Sequence, residues 1–283
     1  LAGGTGGRCD SMDMGSVLDG FHPDLQQQLL RFAVVGDFGV DTLDERRVAD
    51  LIHGWAPDFV VTVGDNNYYK ASDYDRVIGK YYARYIGGYT GAFGPGSIKN
   101  RLWPALGNHD WDARPIQAYY DFFPMLPGNK RYYDVVEGNV HLFFIDSDPR
   151  EPDGVQFDSP QALWLKQALA DSKACHKLVV FHHPPYSSGE FQVDWMRWPF
   201  KEWGADTVIT GHEHFWERLV VDGLPYIVDG LGGALNRFQF PFPHPGSVFR
   251  YNADFGAMRV TVLSSGINYE FFDWRGQRQD AFT

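Results

Sequence analysis

The chain has 283 residues, 44% of them hydrophobic and 16% aromatic, enough to bury a sizeable core as one large domain. Its formal net charge of -11 argues against binding duplex nucleic acid, which is held by Lys and Arg contacts to phosphate, but not against small phosphorylated ligands. No apolar run approaches the ~18 residues of a membrane span, and the two cysteines, Cys9 and Cys175, can close one disulfide or stay as thiols but cannot build a zinc knuckle.

Residues 1–20 are rich in Gly, Ser, Asp and Met without periodicity, and residues 1–30 are read as a flexible leader ahead of a single domain over 31–283. The given chain shows no signal-peptide pattern and no N-glycosylation sequon. The first strand is expected at Phe32–Gly36. A helix follows, with Thr42 and Glu45 spaced as a capping box and Val48, Leu51, Ile52 and Trp55 forming an apolar stripe, until Pro57 stops it. Strands are expected at Phe59–Val63 and Leu102–Leu106, with an aromatic-heavy helix between residues 73 and 86. Further strands are expected at Arg131–Val136, Val140–Ile145, Leu178–Phe181, Thr207–Thr210, Pro225–Val228, Met258–Leu263 and Asn268–Phe272. Ser159 and Pro160 open another helix, with Ala162, Leu165 and Leu169 on one face. This order gives β-α-β units first and a hairpin-like run at the end. Two stretches, Ile86–Asn100 and Asn236–Asp254, read as long irregular loops, either surface loops packed by their own aromatics or a substrate lid.

Five short clusters of metal-binding residues punctuate these elements: GDFG at Asp37, GDNNY at Asp65, GNHD at Asn108, FHHPPY at His182 and GHEH at His212. Each follows an apolar run and so marks the loop leaving the carboxyl end of a strand. One Asp after a strand is ordinarily a cap or turn residue, and one His a bonded core residue. The repetition of Gly-Asp, and two imidazoles two residues apart after a buried strand, point to metal instead. An extended segment would put His212 and His214 on the same side, and would turn His182 and His183 to opposite sides, so that one of them faces the site. Asn108 by itself is a weak neutral ligand and a common turn former.

Taken together, GDxG, GDxxY, GNHD, a His-bearing strand end and GHxH, in this order from about Phe32 to about Val220, resemble the calcineurin-like metallophosphoesterases and, among them, the purple acid phosphatases. The run GHEHFWER resembles the plant-type GHxHxYER, with Trp216 in place of the Tyr. The resemblance implies a four-layer α/β/β/α sandwich with a dinuclear metal site at the strand carboxyl ends. By motif, Asp37, Tyr68 and His214 would bind a trivalent iron, Asp65 would bridge, and Asn108, His182 and His212 would bind a divalent Fe, Zn or Mn. His182 is preferred to His183 by its place at the strand end with Pro184 beyond it, and the GDxxY spacing selects Tyr68 over Tyr69. The positive charge of such a pair exceeds the negative charge of Asp37, Asp65 and a Tyr68 phenolate, leaving a site that attracts phosphate. The implied reaction is hydrolysis of phosphomonoesters by a metal-bound hydroxide with His109 as general acid, acting on small phosphorylated substrates and releasing inorganic phosphate. Asp110 is a candidate to orient His109. A phosphodiesterase of the same superfamily and a non-catalytic secreted binding protein with a vestigial metal site are the alternatives. A secreted, periplasmic or vacuolar location is implied by the resemblance alone.

Overall fold

The computed structural model describes residues 28–283. Cys9 and most of the expected leader lie outside the described residues. Its last three positions, 28–30, already belong to the first strand. In chain order the strands are β1 (Gln28–Val35), β2 (Phe59–Thr62), β3 (Leu102–Pro104), β4 (Tyr133–Glu137), β5 (Val140–Phe144), β6 (His176–Val180) and β7 (Thr207–Thr210). They continue as β8 (Trp216–Val221), β9 (Leu224–Asp229), β10 (Ser247–Tyr251), β11 (Gly256–Leu263), β12 (Gly266–Asp273) and β13 (Arg278–Phe282).

Two mixed sheets result. One has the order β13-β12-β11-β1-β2-β3, with β1, β2 and β3 parallel and the rest antiparallel. The other has the order β10-β8-β9-β7-β6-β5-β4, with β5, β6, β7 and β9 parallel. Strand alternation sorts the second sheet's side chains between two cores. Leu142, Phe144, Leu178 and Val180 pack toward the first sheet with Phe32 and Val34, whereas Phe143, Ile145, Val179 and Phe181 pack on Ala162, Leu165 and Leu169 of a helix. Helix α1 (Leu43–Gly54) buries Val48, Ala49 and Ile52 into the first core. The layers are therefore helix, sheet, sheet, helix, as the resemblance implied.

Local differences from the expected elements have local causes. Thr42 does cap α1, accepting the Glu45 amide at 3.2 Å, but the Glu45 carboxylate reaches past the cap to the amides of Val40 and Asp41 at 3.2 and 2.6 Å. It pins the loop after β1 as well as the helix. The aromatic segment before β3 is not one helix. It runs through a 3-10 turn (Ala71–Asp73), a π turn (Asp75–Gly79), the single turn α2 (Lys80–Tyr82) and another 3-10 turn (Ala83–Tyr85), with Tyr74, Tyr81, Tyr82 and Tyr85 all buried along it. Short helices α3 (Asn108–Asp112) and α4 (Gln117–Phe122) follow β3, α5 (Pro160–Asp171) is capped by Ser159 as expected, and α6 (Phe200–Trp203) precedes β7. The stretch read as an irregular loop over 236–254 contains β10, and β8 and β13 are strands the sequence reading did not assign.

Candidate metal centre

Ligands in open α/β sheets gather beyond the carboxyl ends of parallel strands. The segments leaving β1, β2, β3, β6 and β7 all deliver their clusters to one place. Asp37, Asp65 and His212 there have φ of 57°, 53° and 70°. For non-glycine residues this left-handed region is costly and tends to be kept at working sites. The glycines allow the loops to touch. A β-carbon on Gly107 would lie 2.3 Å from the amide nitrogen and Oδ1 of Asp65, and one on Gly211 would lie 2.6 Å from Oδ2 of Asp37. Gly107→Ala is expected to cost about 1–3 kcal/mol through this overpacking and to lower metal content. Urea unfolding and metal analysis check it, and unchanged values for both would refute the crowding.

The donors form two groups. In the first, the Tyr68 hydroxyl donates to Oδ1 of Asp37 at 3.2 Å and lies 3.1 Å from Nε2 of His214, which is itself 3.4 Å from the same carboxylate oxygen. Nδ1 of His214 donates to the Asn236 carbonyl at 2.7 Å, fixing the ring so that Nε2 presents its lone pair inward. In the second, Nε2 of His182 lies 3.1 Å from Oδ1 of Asn108, 3.2 Å from Nδ1 of His212 and 3.3 Å from Oδ2 of Asp65. Nδ1 of His182 donates to the Val63 carbonyl at 2.8 Å, by the same device. Asp65 stands between the groups: one ligand atom each of Asp37, Asp65 and His182 lie within 4.8 Å of one another. His212 and His214 do not share a side as expected. The left-handed backbone at His212 splays them, one imidazole to each group.

Electrostatics fit cations at both places. Burial opposes the Asp65 charge, yet His182, then His109 and His212, hold its carboxyl well below the usual range, while His182 is raised by Asp65 against its own burial. Burial, then the charges of Asp65 and Asp37, push the Tyr68 phenol well above its ordinary value, so a phenolate here requires added positive charge. Burial, then His182 and His183, keep His212 neutral and thus able to ligate. Carboxylates, a phenol, an amide oxygen and imidazole lone pairs crowding within 3.1–3.4 Å make a donor set suited to metal.

The neighbouring candidates fall out differently. Tyr69 turns away and donates to the Val40 carbonyl. His183 is buried, its Nδ1 2.9 Å from Oγ of Ser147 and its ring centroid 4.4 Å from that of His212; burial, then His182, lower it to about 3. It reaches the site through His212, so both adjacent histidines lie near the centre, contrary to the expected opposition. His182, His183 and His212 form a second metal-capable grouping. His109 stands at the rim with a side chain 38% exposed, its ring 4.2 Å from that of Tyr68 and its Nε2 3.9 Å from Oδ2 of Asp65. Asp110 does not orient it. That buried carboxylate accepts from the amides of Gly107 and Asn66, the Asn66 side chain and the Tyr74 hydroxyl, so it shapes the turn carrying Asn108.

Two features were missed. Arg150 donates to the Asn108 carbonyl at 2.9 Å while paired with Asp148 and Asp112, clamping the Asn108 turn. Phe191 and Phe238 join Asp65, His109, His212 and His214 around a cleft of about 150 Å³, with Phe238 stacked 4.2 Å from His214. Both come from loops without a metal-binding motif. The stretch 236–254 therefore supplies a wall of the cleft.

The family described as calcineurin-like phosphoesterase matches residues 30–215. Tartrate-resistant acid phosphatase type 5 of Oryctolagus cuniculus is 23% identical over 287 residues, covering 85% of this chain and 86% of that protein. Purple acid phosphatase 15 of Arabidopsis thaliana is 28% identical over 264 residues, covering 76% of this chain but 46% of its own length. The structure of purple acid phosphatase PPD1 from yellow lupin (Lupinus luteus) seeds aligns with a TM-score of 0.70 at 18% identity, over 89% of this chain and 53% of that one. The chain thus spans about half the length of these plant relatives.

Proposed function

The chain belongs to the calcineurin-like phosphoesterase family, an enzyme family of phosphoester hydrolysis, and from that premise we propose that it cleaves phosphomonoesters as a purple acid phosphatase does. The observation that carries this reading is the convergence of Tyr68, Asp37 and His214 within 3.1–3.4 Å beside the second group around His182. A phenol at that point distinguishes the purple acid phosphatases by resemblance. We assign Asp37, Tyr68 and His214 to Fe(III), Asp65 to the bridge, and Asn108, His182 and His212 to a divalent Fe, Zn or Mn. When bound, the pair supplies Lewis acidity toward the ester oxygens and acidifies water for in-line attack.

The protein's own part follows from the arrangement. With both metals bound, neutral Asn108 and three imidazoles would leave the site net positive and receptive to phosphate. Phe191 and Phe238 wall one side of the cleft with apolar surface, and His109 at its rim delivers a proton to the leaving oxygen. Small phosphorylated molecules are the substrates, with inorganic phosphate as product. Export to a secreted, vacuolar or periplasmic setting is what the resemblance implies, and a disulfide at Cys175 suits an oxidising compartment. No helix among the described residues is long and apolar enough to cross a membrane.

The test pairs activity with colour. Nitrophenyl phosphate should be hydrolysed much faster than its bis ester; the reverse order would make the protein a phosphodiesterase. Purified protein should absorb visible light through phenolate-to-iron charge transfer, and Tyr68→Phe should remove that band. A colourless wild type with full metal occupancy would replace the iron assignment with Zn or Mn.

A further inference from the structure

A cavity of about 500 Å³, larger than the metal cleft and sharing no lining residue with it, opens between α1, the helical run through α2, and the glycine-rich loop over 86–100. One face of α1 supplies Arg46, Ala49, Asp50 and His53, spaced at helical intervals. Lys80 and Arg84 come from the helical run, and Phe93, Pro95 and Gly96 from the loop. Its charge opposes that of the whole chain. Arg46, Lys80 and Arg84 face it against Asp50 alone, in a protein of net charge -11.

The pairing of those cations is the informative part. Lys80 is bonded to Asp41 at 2.6 Å. The guanidinium groups of Arg46 and Arg84 make no hydrogen bond or ion pair with any described residue, although carboxylates outnumber cations and most other arginines are engaged. His53 adds no charge. Its Nε2 lies 2.9 Å from the Tyr81 carbonyl and its Nδ1 3.2 Å from the Tyr85 hydroxyl, the pattern of a neutral ring, and burial and the nearby Arg84 disfavour its protonation. Two unpaired guanidinium forks around one cavity suit a group with several acceptor oxygens and more than one negative charge, which a phosphate has and a single carboxylate lacks. The volume lies within the ~300–1,000 Å³ usual for small-molecule sites, and Phe93 and Pro95 offer apolar surface to the rest of a ligand.

We propose that this cavity is a second anion site, separate from the metal centre, that binds a small phosphorylated molecule through Arg46 and Arg84 with its carbon portion on Phe93 and Pro95. The site does not depend on the reaction assigned to the metal centre. Phenylphosphonate, whose C–P bond a phosphoesterase does not hydrolyse, is a suitable probe. Calorimetric titration of the metal-loaded protein at low salt should show two binding events. Arg46→Ala/Arg84→Ala should weaken one of them at least tenfold and leave hydrolysis of nitrophenyl phosphate without phosphonate unchanged, since both residues are exposed and neither lines the metal cleft. Metal-depleted wild type should keep the arginine-dependent event, even if the metal centre proves not to bind phosphate esters. Inorganic phosphate should compete there more weakly than phenylphosphonate. Binding that disappears entirely with the metal, or a double variant that binds as the wild type does, overturns the proposal.

Discussion

Replacing Asp65 with asparagine is expected to leave the protein folded and to reduce kcat/KM by roughly a thousandfold or more, corresponding to about 4 kcal/mol of lost transition-state stabilisation. The substitution separates charge from shape. Asparagine tolerates the left-handed backbone that Asp65 adopts at φ 53° better than most residues. Its amide oxygen can still accept the His109 amide, which Oδ1 of Asp65 accepts at 2.9 Å. What is lost is the negative oxygen 3.3 Å from Nε2 of His182, the side chain placed between the two donor groups. Metal content should fall together with activity while the unfolding midpoint of the metal-free protein changes little. Retention of both metals and of wild-type turnover would remove Asp65 from the bridging role.

His109→Ala should behave differently. On the general-acid role proposed for His109 the change should cost ~10²–10⁴ in rate and leave metal content and the visible band in place. The His109 backbone amide that donates to Asp65 survives the change, and its ring touches the metal donors only through Tyr68, 4.2 Å away, and at 3.9 Å from Asp65. The defect should also depend on the leaving group. An alkyl phosphate, whose alkoxide needs the proton, should lose far more than nitrophenyl phosphate, whose phenoxide leaves readily. Equal losses on the two substrates would point to a positioning role for His109 and leave the proton donor unassigned.

The clusters that the structure brings together were legible because Asp37, Asp65, Asn108 and His212 each follow a glycine just beyond a buried strand, a local pattern readable one segment at a time. What escaped it depends on partners distant in the chain. Glu217 and Arg218 interrupt the apolar pattern of β8, yet Glu217 is fully buried against Ser188, and Arg218 pairs with Asp280 of β13 at 2.8 Å. Neither strand declares itself without the other. β10 is an edge strand with alternate residues exposed, set in a stretch crowded with Phe and Pro, so its pattern was masked by its surroundings. Phe191 and Phe238 carry no motif; they meet, with ring centroids 5.5 Å apart, only after two loops close over the strand ends. The reading of Asp110 failed for a related reason. Adjacency to His109 in the chain suggested a partnership, whereas burial and four donors committed that carboxylate to the turn.

The donors come from both sheets, Asp37 to Asn108 from the first and His182 to His214 from the second. On the assignment proposed here, a chain emerging from the ribosome therefore offers only oxygen ligands until its second sheet has been made and docked. Carboxylate, phenol and amide oxygens discriminate poorly among hard cations, so the nitrogen ligands that favour transition metals arrive last. Maturation should then run in a fixed sequence, with the polypeptide finished first and the ions acquired afterwards. The metals it holds would be set by the compartment in which folding ends, whatever cations surrounded the nascent chain.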